Sequence, residues 1–192
     1  MSTSPDGLPV LAFGDAAAFE RWIESAAGAG GLWLRIAKAG RGITSVTYDE
    51  ALDVALCHGW IDGQKRAFDE DWFLQRFTPR RPRSLWSRRN VEKVERLLAE
   101  GRIRPSGQRE IDAAKADGRW DRAYAGASAR EVPEELAVLL AADPDARRAF
   151  DALSAANRYA VCWRVQTGKR ADTRAARARH FVDMILRGET PH

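Results

Sequence analysis

At 192 residues the chain is long enough to close one hydrophobic core, or one core with a smaller appendage, without needing disulfides or metals to fold. Its 45% hydrophobic and 30% charged residues are those of a globular protein, and no run reaches the ~18 apolar residues of a membrane helix, which excludes a spanning helix. The net charge of +4 is unevenly placed: residues 76–104 carry +7 and residues 164–187 carry +5, leaving −8 on the remainder, which suggests an anionic partner unless the basic faces are salt-bridged internally.

Val10 to Phe13 reads as a short strand stopped by Gly14. Asp15 then caps a helix in which Phe19, Trp22, Ile23 and Ala26 recur at helical spacing. Leu32 to Lys38 reads as a strand. Thr47 and Glu50 form a capping box at the start of a helix that puts Ala51, Leu52, Ala55 and Leu56 on one face and stops at Gly59. Trp60–Phe68 and Trp72–Thr78 are strand-like runs joined at Asp69-Glu70-Asp71, the pattern of an antiparallel hairpin. Two prolines and three arginines make 78–83 an extended loop. Val91, Val94, Leu97 and Leu98 mark the next helix, and another runs from near Ser106 to Gly118. The stretch 119–131, rich in Ala, Gly, Arg and Ser, is expected to be a linker. Four short helices follow, announced by Val132-Pro133, Asp143-Pro144, Ser154 and Thr173. The third carries Tyr159, Cys162 and Trp163 on one face, and the fourth Phe181, Met184 and Ile185. The expected fold is α+β, with a small, mostly antiparallel sheet flanked by helices in residues 1–118, a linker over 119–131 and a helical bundle in 132–192.

Strand alternation suggests a site. Trp60, Asp62, Gln64 and Arg66 should share one face of the first hairpin strand, and Trp72, Leu74, Arg76 and Thr78 one face of the second. A carboxylate, a guanidinium and an indole would then converge beside the Arg80/Arg81 loop and Trp86. Arginine forks suit phosphate or carboxylate, and an indole offers a stacking plane. The plainer alternative is a buried Asp62–Arg76 pair with Trp60 in the core. An enzyme with Asp62 as general base is a second possibility. Nucleic-acid binding through 80–104 is a third, weakened by Glu92 and Glu95 within the basic run and by the lack of any known motif. Positive charge at the start of the last helix (Lys169, Arg170, Arg174, Arg177 and Arg179) opposes the helix dipole and calls for acids such as Glu134 or Glu135.

Catalytic signatures are weak. Cys57 and His58 are adjacent, so on a helix they point about 100° apart and do not face each other. Three histidines, His58, His180 and His192, share no metal-ligand spacing, and no cofactor motif is present. Two cysteines are expected to be free thiols in a reducing compartment, and the N-terminal residues lack the features of a signal peptide, so a cytoplasmic location is expected.

Three stretches, taken together, resemble the YdeI/OmpD-associated (bacteriocin-protection) family. They are Ala51 to Gly63 with its Cys57-His58-Gly59-Trp60-Ile61-Asp62-Gly63 core, Arg76-Phe77-Thr78-Pro79-Arg80 running to Leu85-Trp86-Ser87 and Asn90, and a C-terminal pattern. That pattern is Leu136, Leu140, Phe150 and Leu153-Ser154, then Lys169-Arg170, Thr173-Arg174-Ala175 and Arg179. His58 departs from the aromatic residue usual in relatives. The resemblance implies a bacterial stress-resistance protein that protects against bacteriocins or antimicrobial peptides. Joined to the arginine–indole reading, it makes non-enzymatic binding of an anionic small molecule or peptide carboxylate the leading expectation.

Overall fold

A computed structural model describes residues 4, 6–26, 28–124 and 132–191. It separates into two compact units, Met1–Trp86 with Asn90–Asp121, and Ser87–Arg89 with Arg122–His192. Residues 125–131 of the expected linker lie outside the described residues.

In the first unit, strands β1 (Val10–Leu11), β2 (Leu32–Ala37), β3 (Trp60–Ala67) and β4 (Trp72–Pro79) form a sheet in the order β1-β2-β4-β3. β4 runs antiparallel to both neighbours, whereas β1 pairs with β2 in parallel, so the sheet is mixed. The helices of this unit are α1 (Ala16–Ser25), α2 (Tyr48–Cys57), α3 (Arg88–Ala99, in this unit from Asn90 on) and α4 (Pro105–Ala116).

Local signals fix where the helices begin. The Asp15 carboxylate accepts from the Ala18 amide at 2.7 Å, and Thr47 and Glu50 make the reciprocal capping box. Gly59 takes φ +76°, and a Cβ there would lie 2.9 Å from the Ser106 carbonyl oxygen; a Cβ on Gly107 would lie 2.3 Å from that of Cys57. The end of α2 and the start of α4 therefore meet backbone to backbone, a contact only glycine permits.

One face of the sheet (Leu32, Leu34 and Ile36 of β2 with Phe73, Gln75 and Phe77 of β4) turns toward α1 and α2. Phe19 packs on Phe77 with ring centroids 5.7 Å apart, and Trp22 meets Trp60 edge-on at 6.0 Å. Arg119 is buried and Trp120 packs on Trp86 at 5.0 Å, so the first residues after α4 belong to the packed unit.

The second unit contains α5 (Glu134–Ala142), α6 (Pro144–Ala152), α7 (Ala155–Gln166) and α8 (Ala171–Leu186). Asp143 caps α6 through the Asp145 and Ala146 amides, and Ser154 caps α7 through Asn157. The core gathers Leu136, Leu140, Ala146, Phe150, Val161, Val165, Ala178, Phe181, Val182, Met184 and Ile185. On α7 the buried residues are Ala160, Val161 and Val165; Tyr159, Cys162 and Trp163 are only part-buried. The last helix begins at Ala171, two residues before Thr173. Among the described residues no helix is long and apolar enough to cross a membrane.

Candidate ligand-binding site

The hairpin forms where expected, but its strands do not keep one alternation. Asp62 pairs with Phe77, whereas Arg66 pairs with Leu74, and the register shifts between Asp62 and Lys65. This bulge reverses which residues face which side. The buried Gln75 amide donates to the Gly63 and Gln64 carbonyls at 2.9 and 3.3 Å, satisfying the interrupted ladder.

Asp62 and Arg76 are consequently not brought together. Asp62 lies on the helix side and accepts from the Tyr48 hydroxyl at 2.8 Å. Arg76 lies on the opposite side, across from Trp33, with its Nε 3.5 Å from Asp6. The expected convergence of acid, guanidinium and indole is therefore replaced by two separate clusters. Trp60, 7% exposed, packs in the interior.

Arg80 and Trp86 meet inside the unit. The Arg80 guanidinium lies 3.5 Å from the Trp86 ring centre and donates to the Leu85 carbonyl, and both side chains are buried. Arg119 donates to the Ser84 carbonyl at 2.8 Å. These arginines hold the 80–86 loop closed and are withdrawn from solvent. Arg81 is exposed, and its backbone amide donates to the Ser84 hydroxyl at 3.1 Å.

The sheet face carrying Arg76 is where cations accumulate. Arg66 stacks 4.4 Å from the Trp33 ring centre, and Arg35 stacks 4.5 Å from Trp72 and 5.8 Å from Phe68. Asp6 stands against Arg76 and accepts from the Trp33 indole N–H at 3.0 Å. Hydrogen bonds from Ser4 and Trp33, with the Arg76 charge, hold the Asp6 carboxyl below its ordinary range. Among the described residues three guanidinium groups, two of them ordered on rings, thus share one face with the Asp6 carboxylate, and the Nε of Arg76 is buried there without a hydrogen bond. Arg35 and Asp6 were not singled out from the sequence, and Arg66, expected on the face of Asp62, lies on the other. Glycine inside a strand, at Gly63, was the available warning of a bulge.

Elsewhere the basic segments are partly paired with acids. Lys93 and Arg96 bind Asp53, Arg96 and Arg102 bind Glu100, and Arg104 binds Glu20 and Glu24. In the second unit Arg174 binds Glu135 at 2.6 Å, the internal pairing expected for the start of the last helix. These pairs engage four of the nine cations over 80–104, Lys93, Arg96, Arg102 and Arg104. His58 is buried with Nε2 3.2 Å from Glu20, and Glu24 is close enough for the three to share an ion. Arg104 already brings positive charge to both acids. Burial pushes the Cys57 thiol up to about 11, which leaves no thiolate at neutral pH for nucleophilic chemistry.

Two family models match. That of a domain of unknown function, DUF8412, covers residues 11–110, and that described as "Bacteriocin-protection, YdeI or OmpD-Associated" covers residues 129–188. The 51–63 and 76–90 motifs fall within the first match, and the Leu136-to-Arg179 pattern falls within the second. No curated protein and no solved structure matches the chain. The protein thus belongs to the DUF8412 family, through a match over more than half its length, and carries a bacteriocin-protection, YdeI or OmpD-associated domain at residues 129–188.

Proposed function

We propose that this is a non-enzymatic protection protein that binds an anionic small molecule or peptide carboxylate on the arginine face of its sheet. The observation that supports this reading is the placement of Arg35, Arg66 and Arg76 on one face, two of them stacked on indoles, with Asp6 against Arg76. Stacking fixes the planes of the guanidinium groups before a ligand arrives, which lowers the ordering cost of a bidentate bond to carboxylate or phosphate. The protective role is the family-level description of residues 129–188, carried to this chain as part of the proposal.

Calorimetry with citrate, inorganic phosphate and a short peptide, as free acid and as C-terminal amide, tests it. Arg66→Ala and Arg76→Ala should each weaken the anions about tenfold or more, as expected for loss of a charge-assisted hydrogen bond. Asp62→Asn, on the other side of the sheet, should leave binding unchanged. Failure of all these anions to bind, or equal binding by Arg76→Ala, would refute the assignment.

A further inference from the structure

The second unit has a hollow of about 550 Å³ between the last turns of α7 and the first half of α8. Because Val161 and Val165 point α7 into the core, its neighbouring stripe of Trp163, Arg164 and Thr167 is left to form one wall. The other wall is a stripe of α8 at helical spacing, Thr173, Ala176, Arg177 and His180. Phe181, buried against the core, closes one side. Ala176 is the small member of its stripe, and a bulky side chain there would occupy the space.

We infer that this hollow is a binding site for a small aromatic carboxylate. Its size falls within the roughly 300–1,000 Å³ typical of small-molecule sites. Trp163 and Phe181 offer ring surfaces to an apolar body. Charge complementarity names the other end of the ligand: Arg164 and Arg177 line the hollow, His180 stands beside them, and no carboxylate is among the lining residues. The cations are already positioned. Arg177 Nη1 donates to the Arg164 carbonyl at 2.7 Å, tying α8 to the end of α7. Arg164 Nη1 donates to the Pro191 carbonyl at 3.2 Å, and its guanidinium carbon lies 5.9 Å from the Phe181 ring centre. In each case the contact employs one terminal nitrogen, and a guanidinium carries five N–H donors. A flat ring between Trp163 and Phe181, with its carboxylate toward Arg164 and Arg177, satisfies both features. A neutral ring would leave the charges unmatched, and a small inorganic anion would leave the apolar walls unfilled.

This site shares no residue with the arginine face of the sheet, so either can fail without the other. The probe is 2-naphthoate, titrated into the full-length protein by calorimetry and followed at the Trp163 indole N–H resonance, assigned with Trp163→Phe. We expect saturable binding that shifts this resonance, with 2-naphthamide weaker by about tenfold or more. Ala176→Trp, at an exposed helix position, should abolish binding while circular dichroism and melting temperature stay unchanged. Arg164→Gln should weaken the carboxylate but not the amide, and Arg76→Ala should bind naphthoate normally. No binding at millimolar naphthoate, equal affinity for the amide, or binding retained in a folded Ala176→Trp protein would each overturn the inference. So would binding lost in Arg76→Ala.

Discussion

Replacing Gly107 by alanine tests the contact that joins α2 to α4, and the sign of the effect decides the outcome. An alanine inside a helix is ordinarily worth about 1 kcal/mol of added stability over glycine. Here the new Cβ would lie 2.3 Å from the Cys57 carbonyl oxygen and 3.0 Å from that of Leu56, both backbone atoms that cannot rotate away. Ordinary contact begins near 3.4 Å, so α4 must retreat by about 1 Å. The same Cys57 oxygen accepts the Arg104 amide at 3.0 Å, a bond that this retreat stretches. Overpacking together with a weakened hydrogen bond outweighs the helix-propensity gain, and the expected net loss is about 1–3 kcal/mol. Six of the seven tryptophans lie in the first unit, so urea unfolding followed by tryptophan fluorescence reports chiefly on it. Gly14→Ala is the matched control, since its Cβ would meet nothing within 4 Å, and it should change stability by less than about 0.5 kcal/mol. A Gly107→Ala protein as stable as the parent, or more so, refutes the close helix contact.

Two further outcomes follow from the buried groups. The Cys57 thiol, raised to about 11 by burial, should resist iodoacetamide in the native protein at pH 8 and react only after denaturation; alkylation of Cys57 in the folded state would contradict its placement. Burial alone would raise the Asp53 carboxyl, but its bonds from Lys93 and Arg96 prevail and hold it below its ordinary range. Since the folded form binds its proton less readily than the unfolded form, the associated stability is complete above the unfolded carboxylate range. It drains away as pH falls below about 4 and through the depressed folded value. Urea midpoints measured from pH 7 to 2.5 should therefore fall less steeply on the acid side for Asp53→Asn; parallel curves would show that the pair carries no such linkage.

Much of the architecture was legible because it rests on local chemistry. Asp15, the Thr47/Glu50 box and Ser154 each cap a helix through an amide three residues away. The hairpin over residues 60–79 is equally local, with Asp69 accepting from the Asp71 and Trp72 amides at its turn. The candidate site was less legible because it depends on parity. One extra residue near Gly63 moves Arg66 to the side of the sheet that holds Arg76, and leaves Asp62 behind with Tyr48. Arg80 is charged and lies in a proline-rich loop, which suggests exposure; only the Trp86 ring six residues on, and the packing around it, make burial tolerable. Asp6 reaches Trp33 and Arg76 from a distant part of the sequence, which periodicity cannot reveal. On α7 the aromatic stripe drew attention away from Ala160, Val161 and Val165, which are smaller but form the buried contact.

The interrupted register of β3 has a consequence for self-association. β3 is the terminal strand of the sheet, and most of its length is exposed. A straight, apolar border of this kind would invite a strand from a second copy to add to it. The irregularity at Gly63–Gln64 breaks the even spacing of amides and carbonyls that an incoming strand would need. Lys65 and Arg66 place like charges where two copies would meet. The kink that assembles the arginine face thus also guards this border against edge-to-edge aggregation.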